Sequence, residues 1–188
     1  TPDLMYEKVG SIPSQSRLKG KIYKATCSYG YGMRANLMQL MRAYSVFNNN
    51  GRMIRPKIVK NYIDNRRRKI FIENEKAIQV IKASTAQRVK NTLIKTVNKG
   101  TGTNAITAGL IVGGKTGTAH IVENRKYVEK YNTSFLGFVN DKTHSYTMGV
   151  VVIQPKISQY ASKTAVPTFK KAIDILVKEA YLKPNIIK

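Results

Sequence analysis

A chain of 188 residues fits one domain with a substantial core, and an apolar fraction of 42% with clear periodic segments excludes a disordered chain. Its 33 Lys and Arg against 10 Asp and Glu leave a net charge of +23, which raises nucleic acid as a partner. The basic residues are spread through every segment, however, and no zinc-finger spacing, RNP-type strand or helix-turn-helix pattern accompanies the one dense run, Arg66-Arg67-Arg68-Lys69. No nucleic acid is expected; such a field favours anionic partners such as phospholipid headgroups or acidic wall polymers.

Residues 1–28 read as loop-rich, with Gly10, Pro13, Gly20 and several serines. Thr1-Pro2-Asp3 has no signal-peptide pattern and no apolar run reaches the length of a membrane span, so a mature domain or a piece of a longer polypeptide is expected. The one cysteine, Cys27, has Ala25, Thr26 and Ser28 around it, none of them an activating base, and reads as a structural thiol. Tyr29-Gly30-Tyr31-Gly32 forms an aromatic-glycine turn ahead of a helix. Asn36, with Gln39 three positions on, predicts a capping box. Leu37, Leu40, Met41, Tyr44 and Phe47 make that helix's buried stripe, and Asn48-Asn49-Asn50-Gly51 stop it.

Residues 53–59 and 69–72 read as short extended segments around the basic turn. Ser84 and Gln87 predict a second capping box, opening a helix that buries Val89, Leu93, Ile94 and Val97 and ends at Gly100. Three strands are expected next, at about 110–122, 132–140 and 145–154. Polar links at Glu123-Asn124-Arg125-Lys126 and Asn140-Asp141-Lys142 suit antiparallel hairpins between them. A last helix starts near Pro167, buries Phe169, Ile173, Leu176 and Val177, and is ended by Pro184. The sum is a mixed α/β domain of the α+β type, an antiparallel sheet covered by helices. His120 and His144 are too few and too far apart for a metal site.

The first of the three strands carries Lys115-Thr116-Gly117-Thr118 between the apolar flanks Leu110-Ile111-Val112 and Ala119-His120-Ile121-Val122. Extended backbone with a glycine lets a ligand approach closely, while the ammonium and two hydroxyls can hold an anion. The side-chain period of two sets Thr116 and Thr118 on one face. A polar kink in an edge strand, with Gly113 and Gly114 marking a bulge, is the structural alternative.

Three stretches, in this order, resemble the C-terminal part of the transpeptidase domain of class B penicillin-binding proteins. Tyr29-Gly30-Tyr31-Gly32-Met33, with Leu37-Met38-Gln39-Leu40, Ala43-Tyr44, Asn50-Gly51 and Arg55-Pro56, is similar to the family's aromatic-glycine turn, helix and Pro-containing strand. Gly113-Gly114-Lys115-Thr116-Gly117-Thr118-Ala119 resembles its Gly-Lys-Thr-Gly-Thr-Ala strand, and Ser134-Phe135-Leu136-Gly137-Phe138 its Ser-Phe-x-Gly-Phe strand. The likeness covers most of residues 25–180. The Tyr-Gly-Tyr-Gly turn and Ala165-Val166-Pro167-Thr168-Phe169 are closer to the division type than to the elongation type.

Two features depart from the family. Asn36 stands where the family has a Thr-Pro helix start, a change that still caps well. The family's other two motifs, Ser-x-x-Lys and Ser-x-Asn, frame its nucleophile. Ser-x-Asn is absent, and Ser16-Arg17-Leu18-Lys19 lies too close to Lys115 in the chain to be the first. Residues 1–188 are therefore expected to be the C-terminal portion of such a domain, inactive alone.

The resemblance implies a penicillin-binding-protein and serine β-lactamase-like fold and a serine D,D-transpeptidase as the complete enzyme. It cross-links peptidoglycan stem peptides through an acyl-enzyme and binds β-lactams. Lys115 and Thr118 carry catalytic roles and Thr116, Gly117 and Thr118 bind substrate, with the Thr118 N–H as half of an oxyanion hole. The resemblance brings no cofactor or metal. Its implied partners are stem peptides, β-lactams, the N-terminal part of the same enzyme and other cell-wall or division proteins. Its implied location is the periplasmic face of the bacterial inner membrane, anchored by an N-terminal segment outside this chain. Ser134 has no base at useful spacing and reads as a structural hydroxyl. Two other readings stay open: a basic nucleic-acid-binding module, and a noncatalytic partner-docking domain.

Overall fold

Residues 8–73, 75–124 and 126–185 are described by the computed structural model; the signal-peptide reading of Thr1-Pro2-Asp3 and the Arg125 position of the first link lie outside them. The stretch expected to be loop holds two short helices, α1 (Gln15–Leu18) and α2 (Lys21–Ser28). Helix α2 is too short to stand on propensity and is held by what it touches. Cys27 is its buried residue, and the Tyr23 hydroxyl donates to the Gly32 carbonyl at 2.9 Å, tying the helix to the aromatic-glycine turn.

Helix α3 (Leu37–Asn48) begins as the local code predicts. Gln39 N–H donates to the Asn36 side chain at 2.8 Å, and Asn36 N–H donates to the Gln39 side chain at 3.0 Å. Its buried residues differ from the predicted stripe: Ser45 and Val46 are buried while Leu37 is exposed. Ser45 turns inward because its hydroxyl is used twice, donating to the Arg42 carbonyl and accepting from Ile54 N–H.

Four short strands follow: β1 (Arg52–Met53), β2 (Asn61–Ile63), β3 (Lys69–Phe71) and β4 (Ile78–Gln79). They form two small antiparallel ladders, β1 with β4 and β2 with β3. Helix α4 (Ala83–Lys99) corrects the second predicted capping box. It starts two residues early behind Lys82 with no side-chain cap, and Gln87 reaches forward to Asn91 at 2.9 Å instead of back to the helix start.

The main sheet is built of β5 (Ile111–Glu123), β6 (Lys126–Asn140) and β7 (Ser145–Ile153), antiparallel throughout in the order β5-β6-β7. Strand β6 starts six residues before its predicted position, because Lys126, Tyr127 and Val128 pair with Glu123, Val122 and Ile121. The turn is made beyond Glu123, where Asn124 has a φ of 50°. No bulge falls at Gly113 and Gly114; the register runs unbroken through them and shifts between His120 and Ile121 instead. Those glycines are set by packing: a Cβ on Gly114 would meet the Phe135 ring, and one on Gly113 the Phe138 ring.

Alternation divides the sheet into two faces. Val112, Thr116 and Thr118, their partners Val139, Phe135 and Thr133, and β7 residues Tyr146, Val150 and Val152 share one face. Helix α5 (Ala165–Lys178) covers it, with Phe169 packed edge to face on Phe135 at 4.8 Å and Val166 and Ile173 fully buried. Helix α5 starts two residues before Pro167 and stops well before Pro184, because Ala180 takes a φ of 59° and the N–H groups of Tyr181 and Leu182 close on the Leu176 carbonyl. On the opposite face, Gly149 lies beneath Met41 and Leu37 of α3, and Lys90 of α4 sits 5.3 Å over the Phe138 ring. Among the described residues no helix is long and apolar enough to cross a membrane.

Candidate active site

Strand β5 is an edge: among the described residues β6 is its only ladder partner. The Lys115 ammonium donates to the Thr116 carbonyl at 3.0 Å, while the Gly113 carbonyl is turned into β6 against Gly137. In an antiparallel strand a residue's N–H and C=O point the same way, and the direction alternates along the chain. The peptide groups of Thr116 and Thr118 therefore face away from β6, off the free side of the sheet.

The first half of that free side is occupied. Helix α4 runs past it, with Lys90 over Phe138 on one face and Val97 in the buried cluster of Phe135 on the other. Thr101, in the turn after α4, closes the flank with a 2.8 Å hydrogen bond between its hydroxyl and that of Thr116. Past Thr116 the edge is open among the described residues, and Thr118, Ala119 and His120 are exposed.

The four predicted site residues stand at the mouth of this opening. Lys115 is exposed and holds both the carbonyl and the hydroxyl of Thr116, at 3.0 and 3.1 Å. The Thr116 hydroxyl is thus engaged by Lys115 and Thr101, whereas that of Thr118 has no partner among the described residues. Gly117 pairs with Ser134, and a Cβ there would lie 2.5 Å from the Ser134 hydroxyl oxygen. The glycine is required by its own neighbour. The Ser16 hydroxyl, on α1, bonds the Ser14 hydroxyl at 2.9 Å.

Residues 117–122 with Tyr127, Asn132 and Ser134 form one wall of a groove of about 820 Å³. Ser11, Arg17 and residues 29–34 form the other. Backbone hydrogen bonds between Ser11 and Arg34, at 2.8 and 2.9 Å, fasten the second wall. Arg17 and Arg34 make it basic. Sequence reasoning did not find these two arginines, nor Thr101, because nothing local marks them; the fold brings them to β5 from distant segments.

The groove runs outward into a shallower pocket of about 440 Å³ lined by Thr26, Tyr29, Tyr31, His120 and Tyr127. The rings form a chain: Tyr29 to Tyr31 at 5.7 Å, Tyr31 to Tyr127 at 5.9 Å, Tyr127 to His120 at 6.0 Å and His120 to Tyr131 at 4.4 Å between centroids. Burial pushes the Tyr131 phenol above its ordinary pKa, and the Glu129 carboxylate adds to that. The tyrosine-glycine turn was legible as a turn; its meeting with Tyr127 was not.

A helix-covered antiparallel meander carrying Lys-Thr-Gly-Thr on its outer strand defines a domain of the penicillin-binding transpeptidase fold. The family model described as the penicillin binding protein transpeptidase domain matches residues 2–174, and the chain belongs to that family. It is 33% identical over 170 residues to the probable peptidoglycan D,D-transpeptidase PenA of Neisseria flavescens, a match covering 89% of this chain and 40% of that protein. It is also 33% identical over 188 residues to stage V sporulation protein D of Bacillus subtilis (strain 168), covering 97% of this chain and 29% of that protein. The chain thus spans less than half the length of these relatives. Among solved structures, penicillin-binding protein 3 of Mycobacterium tuberculosis complexed with aztreonam has the same fold, with a TM-score of 0.81 at 24% identity over 97% of this chain and 44% of that one.

Proposed function

We propose that residues 1–188 are the C-terminal portion of a peptidoglycan D,D-transpeptidase and supply one wall of its acylation cleft. The observation that carries this reading is the open stretch of β5, where Thr118 offers a free hydroxyl and an outward N–H beside Lys115. A serine on the upstream part attacks the carbonyl of the penultimate D-alanine. The terminal D-alanine leaves with a proton, and an amine of a neighbouring stem then displaces the serine ester. A hydroxyl needs an adjacent base for such an attack, which the lysine of an upstream Ser-x-x-Lys would provide.

Lys115 keeps this wall positive and holds Thr116 in place. The Thr118 hydroxyl binds the substrate's terminal carboxylate, and its N–H is half of the oxyanion hole. Gly117 keeps the strand bare where the peptide lies. A penicillin carries an equivalent carboxylate next to a reactive carbonyl, and the complex of the same Mycobacterium relative with ampicillin supports extending the reading to such drugs. The relatives' peptidoglycan substrates support action outside the cytoplasm, at the periplasmic face of the inner membrane, with the anchor in a segment outside this chain. The tyrosine-glycine turn and the 165–169 motif support the division type, whose partners would include other division proteins.

The test is uptake of a fluorescent penicillin by the full-length enzyme. Thr118→Val and Lys115→Ala each remove a bond to a charged group, so labelling should slow by roughly 10- to 100-fold. Both side chains are exposed, so the melting temperature should stay close to the parent's. Parent-like labelling of both variants would overturn the assignment.

A further inference from the structure

We infer that the aromatic pocket at the outer end of the groove is a saccharide subsite, taking pyranose rings of the glycan strand that bears the stem peptide. The inference rests on the groove's proposed role and adds a second ligand class to it. Direction comes from the fold. With a terminal carboxylate at Thr118, the peptide cannot continue toward Gly113, because α4 and the bond between Thr101 and Thr116 close that flank. It can only run outward along β5.

Distance then fixes what the pocket meets. Tyr127 pairs with Val122, four positions beyond Thr118, or ~14 Å at a strand's rise per residue. An extended pentapeptide spans ~17 Å. The far end of a stem peptide, where it joins the glycan, therefore arrives at Tyr127.

The lining suits a sugar. Pyranoses present a C–H-rich face to an aromatic ring and hydroxyls at the rim. Tyr29 and Tyr127 are 69% and 63% exposed, leaving ring surface uncovered, and phenols, the His120 imidazole and the Thr26 hydroxyl ring the pocket with hydrogen-bonding groups. A cage of rings can also hold a cation, but Arg17 and Arg34 line the same groove and the chain carries a net +23. An anionic or neutral ligand fits that field, and glycan-linked peptide is one.

The test uses the full-length enzyme and two donors: a free stem pentapeptide, and the same peptide on its disaccharide of N-acetylglucosamine and N-acetylmuramic acid. The parent should show the lower KM for the disaccharide-linked donor. Tyr127→Ala and Tyr29→Ala, at exposed positions that do not threaten folding, should raise that KM by up to about tenfold, the scale of one aromatic contact, with a smaller rise for the free peptide, whose groove both rings also line. Equal KM for the two donors in the parent, or an equal rise for both in the variants, overturns the saccharide site alone. A parent that reacts with neither donor nor penicillin takes down the groove reading, and this inference with it.

Discussion

Asp141 occupies the tight connection between β6 and β7 with its side chain only 1% exposed. Its carboxylate accepts from the N–H groups of Thr143, His144 and Lys183 at 2.7, 2.5 and 2.8 Å, and the His144 imidazole lies 3.0 Å away. Burial pushes the carboxyl up, but those donors outweigh it and hold its pKa well below the usual carboxylate range. An unfolded Asp titrates near pH ~4, so between that pH and the lower native value the unfolded chain binds more protons. The stabilisation is therefore complete above pH ~4 and is lost as the pH falls below it. Asp141→Asn should melt lower than the parent at pH 7, and thermal melts from neutral to strongly acid pH should show the gap closing. A gap that stays constant would mean the charge contributes nothing. As a turn residue Asp141 was legible within Asn140-Asp141-Lys142. Its grip on Lys183, which ties the segment after α5 to the sheet, was not, since forty-two residues separate the two.

Elements differ in how local their causes are. Helix α3 was readable because Asn36 and Gln39 satisfy each other within one turn, and the meander because alternation persists over long strands. Ser84 and Gln87 carried the same pattern and misled, because Gln87 had a better partner in Asn91. Helices α1 and α2 were missed because their support comes from tertiary contacts such as that between Tyr23 and Gly32. Helix α5 supports the sheet from behind. It backs the face that carries Thr116, Thr118 and Phe135, with Phe169 fully buried against Phe135. Phe169→Ala should cost about 3–5 kcal/mol, visible as a lower urea midpoint. A loss below about 1 kcal/mol would show that the sheet does not depend on this helix for packing.

The Lys-Thr-Gly-Thr strand and the lack of Ser-x-Asn in residues 1–188 were both legible in the sequence. Which flank of the strand stays open could not be read that way, because it depends on where α4 and Thr101 come to rest. Two expectations belong to the complete molecule. The purified 188-residue chain should take up no fluorescent penicillin. Co-expressed with an upstream part that, on the proposed reading, bears Ser-x-x-Lys and Ser-x-Asn, the assembly should become labelled on that upstream piece. Covalent label found on the present chain would instead return Ser16 or Ser134 to contention as nucleophile. The irregularity between His120 and Ile121 has a further consequence for the isolated chain. A long, flat, unpaired strand invites sister molecules to add to it and polymerise, and bulges and charges are what discourage this. With Lys115 beside its free peptide groups and a break in register two residues after Thr118, β5 makes a poor template for another copy of itself.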